Sequence, residues 1–217
     1  MTIHTIGPHR VRHGDMMQPL DPLMQGQRAS LMYTDPPWGN LRFWQTLNEK
    51  QNGPSDYQAP ELHDFLVRTF DVARRHVSHY LIVEYGIRWE ADIRARASEA
   101  GFIHLATATS RYRGGSKFYP LHHHLFATGE GAGYLSHLAP AWTQSVTGQY
   151  GYACVQAAIE PLTQTGLLPP GSIILDPCCG MGYTAQAALD YGLHFRGNEL
   201  NRARLDKTIR RLQKHRA

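Results

Sequence analysis

The sequence predicts an α/β fold: an open, mixed but mostly parallel sheet with helices on both faces. Three observations carry this. Ile173, Ile174 and Leu175 form a short continuous apolar run, as a strand buried on both faces would, and it stops at Asp176-Pro177. Leu31 to Thr34 is a second such run, stopping at Asp35-Pro36. Elsewhere, short apolar runs alternate with stretches of helical periodicity, the pattern of strands joined by crossover helices.

In chain order, His9 to His13 reads as a short strand ending in Gly14-Asp15. Residues 16–30, with prolines at 19 and 22, read as irregular or helical, and the strand Leu31–Thr34 follows. A polar connection from Gly39 to Pro60 holds Phe43 and Trp44. A segment of that length is either a lid or base-stacking surface, or a loop pinned to the body by its aromatics. Glu61 to Val77 has helical periodicity and a basic end suited to the helix dipole. Tyr80 to Tyr85 is a buried strand, Trp89 to Ala100 a helix closed by Gly101, and Phe102 to Ala108 the next strand. Leu125 to Gly129 completes an antiparallel end of the sheet. Glu130 to Gln149 reads as loop-rich. Tyr152 to Gly166 is a helix leading to the strand at 173, and Thr184 to Leu189 is strongly helix-forming. A short strand from His194 to Gly197 delivers Glu199, and a basic helix runs from Arg202 to Arg216.

Two turns carry the chemistry. After Ile173–Leu175 the chain passes Gly180 and Gly182, where a sharp turn and a close ligand leave no room for a Cβ. An acid, Glu199, follows about twenty residues on. In a doubly wound sheet that arrangement holds an adenosine-type cofactor, with the acid on the ribose hydroxyls. The spacing lacks the third glycine of the dinucleotide fingerprint, which weakens a nicotinamide reading; alone, the turn is also an ordinary strand-to-helix connection. The second turn is Asp35-Pro36-Pro37-Trp38. Two prolines fix the backbone and remove two N–H donors while leaving carbonyls free to accept. Asp35, the Pro36 carbonyl and the Trp38 ring together offer two acceptors and a flat face, as an exocyclic amino group on a planar base requires.

Asp-Pro-Pro-Trp, followed much later by Asp-Pro-x-x-Gly-x-Gly, resembles the S-adenosylmethionine-dependent amino-methyltransferases that modify adenine N6 or cytosine N4. The order, catalytic motif ahead of cofactor motif, resembles the circularly permuted β group of that family. The resemblance implies a Rossmann-like methyltransferase fold with S-adenosylmethionine as cofactor. It places Asp35, Pro36, Pro37 and Trp38 on the target base. Asp15, Asp176, Pro177, Cys178, Gly180, Gly182, Thr184, Glu199 and Leu200 would meet the cofactor. Read alone, Asp15 is equally an Asx turn. Three positions depart from the family pattern: Cys178 where a bulky aromatic is usual, Tyr183 at a threonine position, and no Lys-Pro near Tyr152–Gln156. Asp at the first catalytic position leans toward adenine, and the implied substrate is DNA ahead of RNA.

The segment Ser110 to Pro120 interleaves Arg111, Arg113 and Lys117 with Tyr112, Phe118 and Tyr119 around Gly114-Gly115. Cations track phosphates and aromatics stack bases, so it suits a nucleic-acid strand; the plainer reading is a charged hairpin tip. The basic last helix is chiefly a solvated face, with nucleic-acid contact as the alternative. His122-His123-His124 does not read as a metal site, because consecutive strand residues point to opposite faces. The 217 residues make one domain, with a possible small target-recognition insertion at 110–150, and a net charge of +4 permits a polyanionic partner. Three cysteines without Cys-x-x-Cys spacing fit a reducing interior, and there is neither a membrane-length apolar run nor a secretory signal, so a cytoplasmic location is expected. Oligomeric state and recognition sequence stay open.

Overall fold

The computed structural model describes residues 2–37, 61–114 and 116–214. Trp38, Phe43 and Trp44 lie outside the described residues. The described strands are β1 (Thr2–Ile6), β2 (His9–His13), β3 (Ala29–Thr34), β4 (Val77–Tyr85), β5 (Ile103–Gly114), β6 (Lys117–Ala127), β7 (Ile173–Asp176) and β8 (His194–Glu199). They form one sheet in the order β1-β2-β8-β7-β3-β4-β6-β5. The run β2-β8-β7-β3-β4 is parallel throughout, while β1 and β6 pair antiparallel with their neighbours.

The helices are α1 (Asp21–Met24), α2 (Leu62–His76), α3 (Glu90–Glu99), α4 (Gly129–Leu135), α5 (Ala139–Val146), α6 (Tyr152–Gln164), α7 (Tyr183–Asp190) and α8 (Arg202–Lys214). Period-two alternation along the central strands divides the apolar residues between two cores. Leu31, Tyr33, Tyr80, Ile82 and Ile174 face one core, which is covered by α4 to α8. Met32, Leu81, Val83, Tyr85 and Leu175 face the other, covered by α1, α2 and α3.

The next described helix after β3, α2, packs on one face of the sheet and the helix after β7, α7, packs on the other, and β3 and β7 are neighbours. Adjacent parallel strands whose connections depart in opposite directions open a crevice at their carboxyl ends, where ligands bind in open α/β sheets.

The structure corrects one expectation. Residues 130–149 are not loop-rich but carry most of α4 and all of α5. Trp142 of α5 is fully buried, and its indole N–H donates to the Ala158 carbonyl of α6 at 3.0 Å, so the segment belongs to the core layer over the sheet. The edge strand β1 is a further element that local pattern does not announce. Among the described residues no helix is long and apolar enough to cross a membrane.

Candidate active site at the carboxyl ends of the parallel strands

A cavity of about 560 Å³ opens over the carboxyl ends of the parallel strands, within the usual range for a small-molecule site. Strand order lays its acids out in a row: Asp15 after β2, Glu199 ending β8, Asp176 ending β7, Asp35 after β3, and Glu84 near the end of β4. Met32 is level with Leu175, so Asp35 stands two residues beyond the level of Asp176 on the adjacent strand. That places their Cα positions ~8 Å apart, from standard strand rise and spacing.

The β7 turn is built by its own carboxylates. Asp176 is buried; its Oδ1 accepts from the Cys178 amide at 3.1 Å and its Oδ2 from the Thr184 hydroxyl at 2.6 Å. Glu199 Oε2 accepts from the Gly180 amide at 2.8 Å and Oε1 from the Asn201 amide at 2.7 Å. A carboxylate has roughly four lone-pair positions, so Glu199 keeps acceptor capacity toward the cavity. Gly180 and Gly182 both have positive φ, at 53° and 83°. A Cβ on Gly182 would sit 2.6 Å from Thr208 Oγ1 and 3.0 Å from Thr208 Cα, so that glycine lets α8 pack against the turn. A Cβ on Gly180 would meet nothing nearer than the Cys178 carbonyl at 3.9 Å, so that glycine keeps the cavity open.

Burial pushes the Asp176 carboxyl up to about 7, with the nearby charges of Asp35 and Glu199 adding to the effect. Glu199 is raised as well, by burial, against the opposing pull of the Asn201 amide, Arg204 and the Gly180 amide. Burial also drives the Cys178 thiol well up, so it is neutral, and it lies 3.0 Å from the Met16 sulfur. Such a group of mutually repelling, half-dehydrated carboxyls suits a cationic ligand.

Of the residues expected at a cofactor, Asp15, Asp176, Pro177, Cys178, Gly180, Thr184, Glu199 and Leu200 line the cavity, whereas Gly182 supports the turn from behind. Asp15 Oδ1 accepts from the Met17 amide at 2.9 Å, so it does form the Asx turn, while still facing the cavity. Of the expected catalytic residues, Asp35 and Pro37 line the cavity, and Pro36 is buried beneath them. The Pro37 carbonyl accepts from the Tyr85 hydroxyl at 3.1 Å, which anchors the turn to β4.

The hairpin of β5 and β6 forms a wall. Glu84 pairs with His123, which pairs in turn with Ala108, so Arg111 to Gly114 extend three to six residues beyond the level of Glu84. At strand rise that is ~10–20 Å above the floor. Arg111, Tyr112 and Arg113 line the cavity, and Lys117 is exposed at the tip. Tyr112, Phe118, Tyr119 and Tyr150 are all 43–52% exposed, and Phe118 meets Tyr150 edge to face at 5.6 Å. On α8, Arg211 is drawn inward, donating to the Met181 carbonyl at 3.0 Å and lying over the Tyr183 ring.

Two parts of the site were not legible in the sequence. Arg12 is fully buried; it donates to Asn198 Oδ1 at 2.6 Å, to the Asp15 carbonyl at 2.6 Å and to the Pro19 carbonyl at 2.5 Å. Asn198 donates in turn to the Pro177 carbonyl at 3.0 Å, so one guanidinium ties together the loop after β2, the end of β8 and, through Asn198, the loop after β7. Tyr33 and Glu84 form the floor beside Asp35. The lone acid in Leu81-Ile-Val-Glu84 was the available signal, since an acid at the end of an apolar strand needs a partner or a function.

Architecture and site together define a Rossmann-like methyltransferase fold with permuted motif order. Neither a protein-family model nor a curated protein sequence matches the chain. Among solved structures it is similar to M1.HpyAVI in complex with SAM, at 15% identity and TM-score 0.62, covering 93% of this chain and 98% of that one. It is also similar to TTHA0409 of Thermus thermophilus, described as a putative DNA modification methylase, at 18% identity and TM-score 0.63, covering 95% of each chain. The cytosine-N4-specific PvuII DNA methyltransferase aligns at 13% identity and TM-score 0.62, over 93% of this chain and 85% of its own.

Proposed function

We propose that the protein is an S-adenosylmethionine-dependent methyltransferase acting on the exocyclic amino group of a nucleic-acid base, adenine N6 in DNA. The observation that carries this reading is the juxtaposition in one cavity of the Asp35-Pro36-Pro37 turn and the Gly180 turn, on adjacent strands with opposite exits. Cofactor contact is assigned to Asp15, Asp176 to Cys178, Gly180, Thr184, Glu199 and Leu200. The fit is good: Gly180 leaves its Cβ space empty, Glu199 retains lone pairs for ribose hydroxyls, and the acids match a cationic molecule. When bound, S-adenosylmethionine supplies an electrophilic methyl group on a sulfonium.

The chain's own residues do the rest. An aromatic amine is a poor nucleophile because its lone pair is delocalised into the ring. Asp35 and a carbonyl of the proline turn accept its N–H bonds, favour a pyramidal nitrogen and aim the lone pair toward the β7 turn. This is orientation plus preorganised electrostatics. Trp38 is assigned to stacking on the base, and Phe43 and Trp44 to further nucleic-acid contacts. Arg111, Arg113 and Lys117 take phosphates along the hairpin, and the exposed aromatics around them take bases. A base in a duplex must be flipped out to reach a floor recessed below that wall.

Cytosine N4 is the second reading, since its amine makes the same demands and a cytosine-N4-specific enzyme shares the fold. Adenine N6 in RNA is an alternative substrate. A catalytically silent binding subunit has less support, because Asp35, Trp38 and Glu199 are all present. Incubating the protein with S-adenosylmethionine and DNA or RNA, then resolving nucleosides by mass spectrometry, tests the proposal. N6-methyladenine from DNA is the expected product. N4-methylcytosine changes the base and keeps the mechanism. A methyl group on a ring carbon contradicts it, since cytosine carbon methylation requires a nucleophile that this turn lacks.

A further inference from the structure

Beside Asp35 the cavity floor carries a second acid that the methyl-transfer chemistry does not use. The last paired couple of β3 and β4 is Thr34 with Val83, so Asp35 and Glu84 each stand one residue farther along. Neighbours in register point to the same face, which here is the face of Tyr33 and Ile82. Glu84 lines the cavity with a side chain only 17% exposed.

Behind it lies a polar chain on that same face. The Tyr33 hydroxyl donates to Glu84 Oε2 at 2.9 Å. His123 Nδ1 is 3.4 Å from the Tyr33 hydroxyl, and His123 Nε2 is 2.7 Å from the Ser110 hydroxyl. Burial keeps the His123 ring neutral, so the chain is a set of hydrogen bonds and not an ion pair. Tyr33 has a single proton and gives it to Oε2. With Oε2 accepting from Tyr33, Oε1 has no hydrogen-bond partner among the described residues, on a side chain that lines the cavity. Burial favours the protonated carboxyl, against the opposing hydrogen bond from Tyr33.

We propose that Glu84 reads the target base: Oε1 donates a hydrogen bond to the ring nitrogen adjacent to the amino group that Asp35 orients, while Tyr33 and His123 fix the carboxyl. Adenine N1 and cytosine N3 both present that acceptor beside an amine, so the contact selects the amidine edge common to the two bases. Guanine and thymine present an N–H at the corresponding ring position and are rejected. The inference rests on the methyl-transfer reading and adds a specificity-determining residue to it.

The test uses single-stranded oligonucleotides, so that altered pairing does not enter, containing either adenine or 1-deazaadenine, in which N1 is replaced by C–H. If cytosine is the methylated base, 3-deazacytosine takes its place. Wild type should prefer the natural base by about 10–100-fold in kcat/KM, the scale of one buried hydrogen bond left unmade. Glu84→Gln should keep the preference, because the Tyr33 proton draws the amide oxygen inward and turns the amide N–H₂ to the cavity. Glu84→Met, similar in length but without a donor, should lower activity on the natural base and reduce the preference to within about threefold, with S-adenosylmethionine affinity unchanged. A preference in Glu84→Met equal to wild type overturns the proposal. So does a wild type that methylates the deaza base as well as the natural one, an outcome that needs no variant and leaves the methyltransferase reading standing. Absence of methyl transfer to any base by wild type overturns that reading as well.

Discussion

The two glycines of the β7 turn should separate stability from binding. Gly182→Ala places a methyl 2.6 Å from Thr208 Oγ1 and 3.0 Å from Thr208 Cα, and backbone cannot swing aside as a flexible side chain does. The residue also keeps φ at 83°, where an L side chain is strained by about 1–2 kcal/mol. Overpacking adds about 1–3 kcal/mol. The expected loss is therefore about 2–5 kcal/mol, concentrated where α8 meets the turn. Gly180→Ala carries only the conformational part, about 1–2 kcal/mol at φ 53°, because its methyl enters open cavity. Urea denaturation of both variants should rank Gly182→Ala as the less stable. Calorimetry with S-adenosylmethionine should show Gly180→Ala folded and weakened in binding by at least about tenfold, the factor for 1.4 kcal/mol. A Gly182→Ala protein as stable as wild type would refute the close approach of α8. Full cofactor affinity in Gly180→Ala would refute the placement of the ligand over that turn.

Glu199→Ala should weaken S-adenosylmethionine binding by about 1.5–3 kcal/mol and also lower stability, because the Gly180 and Asn201 amides lose their acceptor; calorimetry and denaturation check the two effects. Replacing Arg111, Arg113 and Lys117 together with Ala should weaken oligonucleotide binding and flatten its salt slope by about 0.9 for each duplex phosphate no longer neutralised, and an unchanged slope would leave the hairpin without that role. Cofactor affinity should rise about tenfold from pH 6 to pH 8, because a cation binds the ionised form of Asp176, whose carboxyl burial pushes up to about 7. In the free protein the sign is reversed: Asp176 contributes stability that is complete below its ordinary 3.8 and is lost as pH rises through about 7. A cofactor affinity flat across that range would show that Asp176 does not face the bound charge.

Much of this was readable from local pattern. The runs Leu31–Thr34 and Ile173–Leu175 are continuous because both faces are covered, and each ends at an Asp-Pro that marks the edge of the sheet. Asp35, Gly180 and Glu199 stood out because they interrupt those patterns at fixed offsets. Residues whose meaning depends on distant partners stayed hidden. Arg12 looks like one more surface cation in His9–His13, and its buried partner Asn198 lies 186 positions away. Glu84 acquires its neighbours only when β4 pairs with β3 on one side and β6 on the other. Residues 130–149 hold three glycines and a proline, yet Leu135, Trp142 and Val146 suffice to anchor two short helices in the core. Tertiary burial there overrides a local sequence that favours loop.

The division of labour between the two turns is most directly tested with Asp35→Ala, assayed in parallel for S-adenosylmethionine affinity by calorimetry and for methylated nucleosides by mass spectrometry. Asp35 lines the cavity on the strand adjacent to the one that carries the turn assigned to the cofactor. Methyl transfer should disappear while cofactor affinity stays within about threefold of wild type, less than a single hydrogen bond to a charged group would cost. Retained N6-methyladenine formation by Asp35→Ala, or loss of cofactor binding in step with activity, would contradict the assignment of Asp35 to the base.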